Sequence, residues 1–164
     1  NGHVVGSRLI GQDFTGPNYF HGRPSATSAP DPKDASKMVD APYNAANSGG
    51  SNLGPTSKAL ISRVTADIAR LRADNPEAVQ AGLPIPGDLV TASGSGLDPD
   101  ISPAAARFQV ARVARVRGLP EQAVQALVQS QTREPLFGLY GEPRVNVLAL
   151  NMALDRLTAA KAGG

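Results

Sequence analysis

The sequence contains no cysteine and no tryptophan, and only two histidines, His3 and His21. Without cysteine there is no disulfide framework and no thiolate metal site. Two histidines, both in an irregular N-terminal region, are too few for a transition-metal centre. Aromatic residues are scarce, so the core must be built from Val, Leu, Ile and Ala. No apolar run reaches the roughly 20 residues that a spanning helix requires, and no signal-peptide pattern is found. The net charge of +2, with no dense Lys/Arg run, argues against a nucleic-acid partner.

What is abundant is punctuation. Seventeen glycines and fourteen prolines in 164 residues mark a chain rich in loops. The length and a hydrophobic fraction of 41% suit one domain spanning residues 1–164.

The clearest signals are helical. Residues 57–73 place Leu60, Ile61, Val64, Ile68 and Leu71 on one stripe, which predicts an aliphatic face on the core. Thr56 or Ser57 caps the start and Asn75-Pro76 ends the helix. A single turn is predicted near 77–80. Ser102-Pro103 opens a helix over 103–117 and Gly118 is its natural stop. On a helical wheel Ala106, Val110 and Val113 form its buried stripe. Phe108 falls with Arg107, Arg112 and Arg115 on the opposite side, a composition favoured at interfaces; the alternative is that a loop, such as the aromatic 14–20 segment, covers Phe108. Pro120 opens a further helix, with Gln122, Gln125 and Gln129 on one face and Thr132 a turn beyond. Asn146 is the expected cap of a last helix, with Val147, Leu150, Leu154 and Leu157 facing the core. Short strands are predicted at 3–10, at Leu89–Ala92 and at Leu136–Tyr140. The fold class is therefore α+β: one domain, about four helices on a small sheet of short strands, with long Gly/Pro-rich loops.

Two loops carry functional interest. Residues 11–30 hold Phe14, Tyr19 and Phe20, and a loop with aromatics pins itself to its own core or to a partner. Residues 31–56 lack periodicity, and a stretch this long is often functional. Its Gly49, Gly50 and Gly54 are not a P-loop, because Pro55 and Thr56 stand where Lys and Ser/Thr belong. Ser93-Gly94-Ser95-Gly96 is not a nucleophile elbow, since position 93 is Ser. Asp98 and Asp100 suit a hard cation or an acid/base pair, but more simply they lead into a helix N-terminus. No catalytic residue and no metal site are predicted.

Four blocks carry a resemblance: VVGSRLIGQDFTGPNYFHGRPSAT, PYNAANSGGSNLGPTSKAL, LVTASGSGLDPDISPAAARFQVARVARVRGL and GEPRVNVLALNMALDRL. Their order and spacing resemble the C subunit of the Kdp-type potassium-transporting P-type ATPase. His21 departs from that pattern, which usually has Trp before GRPSA. The resemblance implies a non-catalytic accessory subunit of an ATP-driven potassium uptake complex in a bacterial or archaeal cell membrane. An N-terminal transmembrane anchor is expected ahead of Asn1, with this domain on the extracytoplasmic side. The implied partners are the potassium-translocating and ATP-hydrolysing subunits. The implied role is assembly of the complex and, as a catalytic chaperone, a higher ATP affinity in the hydrolysing subunit. A Gln-x-x-Thr pattern linked to nucleotide maps onto Gln129 and Thr132. No cofactor is expected to be tightly bound, and ATP is the one candidate ligand. Expected subunit contacts are Phe14, Tyr19, Phe20, Arg23, Ser51, Asn52, Asp98, Phe108, Arg112 and Arg115. The competing reading is an independent nucleotide- or phosphate-binding module.

Overall fold

The computed structural model describes residues 6–135 and 140–162. Its helices are α1 (Lys58–Asp74), α2 (Pro76–Gln80), α3 (Pro103–Arg117), α4 (Glu121–Gln131) and α5 (Val147–Ala162). The strands are β1 (Ser28–Asp31), β2 (Asp34–Asp40), β3 (Asp100–Ile101), β4 (Thr132–Arg133) and β5 (Arg144–Asn146). Strands β1 and β2 form an antiparallel hairpin, and β3, β5 and β4 form a second antiparallel sheet in that order. This is an α+β domain with small sheets of short strands.

The caps fall where local chemistry puts them. Ser57 Oγ accepts from the Leu60 N–H, and Ser102 Oγ accepts from the Ala105 N–H at 3.0 Å. Asp88 accepts from both the N–H and the hydroxyl of Ser102, so the cap of α3 is itself held. Gly118 closes α3 in the left-handed region at φ +61°. Asn146 Oδ1 accepts from the Ala149 N–H and starts α5.

Helix α3 is the centre of the core. Ala105, Ala106, Phe108, Gln109, Val110, Arg112, Val113 and Ala114 are all buried, so it is covered on most of its circumference. Val124 and Val128 of α4, Leu150 and Leu154 of α5, and Ile101 and Val145 of the sheet complete the same cluster. The expected exposed face of Phe108 and arginines is therefore absent: Phe108 is 1% and Arg112 2% exposed. A wheel with a single buried stripe fails for a helix that is packed on several sides at once.

Three further expectations are corrected. On α1 only Leu71 of the five-residue stripe is buried, and Ile61 is 54% exposed. Leu89–Ala92 is not a strand; Gly87–Leu89 is a turn of 3₁₀ helix that drops Leu89 into the core while Asp88 reaches Ser102. Residues 6–10 form a turn instead of a strand, and positions 3–5 lie outside the described residues. Of the strand expected at Leu136–Tyr140, residues 136–139 also lie outside them.

The β1–β2 hairpin spans the junction of the two loop segments, with β1 closing the aromatic loop and β2 inside the stretch read as aperiodic. Asp31 Oδ1 accepts from the Lys33 N–H at 2.7 Å and turns the chain. At the base, Thr27 and Ala41 pair through the Ala41 N–H, and Thr27 Oγ1 donates to the Ala41 carbonyl. Strand β2 is mostly exposed, which is why no alternating apolar pattern betrays it.

Candidate functional site

The aromatic loop is fastened to the core by side chains that imitate a neighbouring strand. Asn151 of α5 accepts from the Phe20 N–H and donates to the Phe20 carbonyl, each at 2.9 Å. Gln109 of α3 does the same for His21, at 2.8 and 3.1 Å. Arg112 donates to the carbonyls of Pro17 and Tyr19, to Asn75 Oδ1 and to Gln109 Oε1. At the loop's edge Arg117 donates to the Asn18 carbonyl and lies 4.7 Å from the centre of the Tyr19 ring. Phe14 stacks obliquely on Tyr19, with ring centres 5.4 Å apart.

This packing sets the local electrostatics. Burial pulls Arg112 down from the ordinary guanidinium range to about 10. Among the described residues no carboxylate is bonded to it; four neutral oxygens solvate the guanidinium instead. His21 is held below its usual range, first by burial and then by the Arg112 charge. Its Nε2 lies 2.9 Å from the Gly16 carbonyl. Tyr43 is pushed up to about 12, first by burial and then by Asp13 and Asp98. Its hydroxyl donates to the Arg23 carbonyl at 2.7 Å, and its ring occupies the space that a Cβ on Gly11 would need.

A second patch joins loop residues distant in sequence. Arg23 pairs with Asp98 at 3.0 Å. Around them a shallow hollow of ≈ 560 Å³ is lined by Leu9 and by residues of the 93–99 loop. Asp100 pairs with Arg144 and accepts from Asn146. Both acidic residues of the LDPDIS segment are thus engaged in structural contacts.

The third feature is a groove of ≈ 1380 Å³ between α2, the start of α3, and α4. Ala78, Phe108, Ala111 and Val128 form its floor. Gln122, Gln125, Gln129 and Thr132 line one wall. Glu77, Glu121, Glu134 and Glu142 stand around it, with Arg107. Glu77 is held below the usual carboxylate range, first by its own backbone N–H; it also pairs with Arg115 at 2.6 Å. Thr132 Oγ1 already donates to the Val128 carbonyl at 2.9 Å.

Residues 1–156 match the family described as K+-transporting ATPase, c chain, KdpC. The chain belongs to the KdpC family. A potassium-transporting ATPase KdpC subunit of Methylobacterium nodulans is 68% identical over 157 residues, which is 96% of this chain and 76% of that protein. One from Rhodopseudomonas palustris is 66% identical over 154 residues, 94% of this chain and 74% of the relative. One from Bradyrhizobium diazoefficiens is 64% identical over 159 residues, 97% of this chain and 77% of the relative.

Within this KdpC domain the expected residues separate into three groups. Phe20, Phe108 and Arg112 are core residues: Phe20 seats the aromatic loop on its own core, and Phe108 and Arg112 present no exposed face. Gln129 and Thr132 do come together, on the groove wall. Phe14, Tyr19, Arg23 and Asp98 are half-buried, while Ser51, Asn52 and Arg115 are exposed. Sequence reasoning missed Asn75, Gln109 and Asn151, the buried amides that hold the loop. The signal available was an asparagine inside the apolar run VLALNMAL, where an amide needs partners. It also missed the four glutamates, which are scattered in sequence and converge only in the fold.

Proposed function

We propose that this chain is a non-catalytic accessory subunit of a potassium-transporting P-type ATPase. The family match over residues 1–156 carries this reading. It is supported by the fate of the carboxylate pair that the LDPDIS segment offered for acid/base work. Asp98 is bonded to Arg23, and Asp100 to Arg144 and Asn146. In this reading the domain sits on the extracytoplasmic side of the cell membrane, tethered by a helix preceding Asn1. It assembles with the potassium-translocating and ATP-hydrolysing subunits and raises ATP affinity as a chaperone. The effect on ATP is transmitted through the complex, as a coupling between distant sites that bias one two-state element.

A second reading has ATP contacting Gln129 and Thr132 directly, within the pump or in an independent nucleotide-binding module. Their convergence on one groove favours it. The charge of that groove opposes it, because phosphates would face four carboxylates and one guanidinium.

The test is subunit omission. Pump membranes made without this chain should hold less assembled complex and show a higher KM for ATP, with both restored by adding the chain back. Equal assembly and equal KM without the chain would refute the accessory role.

A further inference from the structure

We propose that the groove between α2, α3 and α4 receives a segment of a partner subunit in which Lys or Arg side chains flank an apolar anchor. The inference rests on the accessory-subunit reading and adds to it which surface docks and what it recognises.

Size is the first argument. At ≈ 1380 Å³ the groove exceeds the roughly 300–1,000 Å³ of a small-ligand pocket and suits an amphipathic helix or loop. Leu83, which lines the groove, is 44% exposed, so an apolar anchor has surface to cover.

Charge is the second argument. Among the described residues Glu134 and Glu142 have no hydrogen-bond or ion-pair partner, and Glu121 is bonded only to the neutral Gln125. Among the described residues Glu77 is the single groove carboxylate with a cationic partner, Arg115. Arg107 donates to the Pro103 carbonyl of its own helix and, among the described residues, to no other group. The chain as a whole has more basic residues than acidic, 16 to 14. Acidity at this groove is therefore a local concentration and not a reflection of composition. Complementary potentials set partner choice, and this rim selects a cationic segment while repelling phosphates.

The experiment places a photo-cross-linking amino acid at Gln122, an exposed groove residue with no side-chain hydrogen bond among the described residues, in the full chain within the assembled pump. The expected product joins position 122 to a Lys- or Arg-bearing segment of another subunit. Its yield should fall about tenfold in the double variant Glu134→Lys/Glu142→Lys, and it should fall as salt is raised. Glu134→Gln/Glu142→Gln, which removes charge without reversing it, should give an intermediate yield. An intact pump with no cross-link at 122 overturns the proposal. So does a cross-link to a segment without Lys or Arg, a cross-link to a second copy of this chain, or loss of the cross-link on adding ATP alone. Those results leave the accessory role standing, whereas a pump with equal assembly and equal KM for ATP without the chain overturns both.

Discussion

Asn151 holds Phe20 as a strand holds its neighbour: one amide side chain satisfies both the N–H and the carbonyl of a fully buried loop residue. The aromatic loop thus owes its position to helix α5, 131 residues away in sequence. Asn151→Ala leaves two buried backbone groups unpaired. The expected cost is about 3 kcal/mol, since each buried orphan costs roughly 1–3 kcal/mol. Urea denaturation checks it, as a lower midpoint at unchanged slope. A loss under about 1 kcal/mol would show that water replaces the amide.

Arg112 is the second fastening. Its guanidinium serves the carbonyls of Pro17 and Tyr19 from Nη1, Asn75 from Nε and Gln109 from Nη2, a spread over three nitrogens that a lysine ammonium does not reproduce. Arg112→Lys should destabilise the fold by about 2 kcal/mol and Arg112→Met by about 3 kcal/mol or more. Limited proteolysis should then cut within residues 14–23 faster than elsewhere. By contrast Arg115→Ala, which breaks an exposed pair with Glu77, should cost less than about 1 kcal/mol. Equal losses for the two arginines would contradict the burial assignment.

His21 gives the domain a pH dependence whose sign is fixed. Its folded pKa lies below the ordinary 6.5, so below pH 6.5 the unfolded chain binds a proton that the folded chain resists. Stability from this group is full above 6.5 and is lost as pH falls toward the folded value. Carboxylates contribute equally in a variant lacking the imidazole. Thermal melts of the parent and His21→Gln should therefore diverge on going from about pH 8 to pH 5, with the variant losing less. Parallel curves would remove His21 as the cause.

Gly96 sits at φ +67°, and a Cβ there would lie 2.6 Å from Thr27 Cγ2 and 2.7 Å from the Gly49 carbonyl oxygen. Gly96→Ala combines left-handed strain with a clash against backbone. It should cost more than about 2 kcal/mol and loosen the base of the β1–β2 hairpin, seen as faster amide exchange at Ala41. Gly54→Ala, in open space with no such strain, is the control and should be close to neutral.

The helices were legible because their signals are local. Ser57, Ser102, Gly118 and Asn146 act within one turn of the residues they cap. The hairpin was not legible, because β2 is exposed and has no apolar alternation to read. Phe108 and Arg112 were misplaced because a wheel assumes one buried side. The burial of Arg112 depends on carbonyls more than 90 residues distant in sequence. The family resemblance brought Gln129 and Thr132 to attention, and the fold does set them on one wall. The acidity opposite them arises from Glu77, Glu134 and Glu142, which no single stretch of sequence brings together.

The most direct test of the account is a titration of this chain with ATP, with and without Mg²⁺, followed by amide NMR. If the effect on ATP is transmitted through the complex, millimolar ATP produces no saturable shifts at Gln129 and Thr132. Saturable shifts centred on those two residues would contradict transmission and make the groove a nucleotide site.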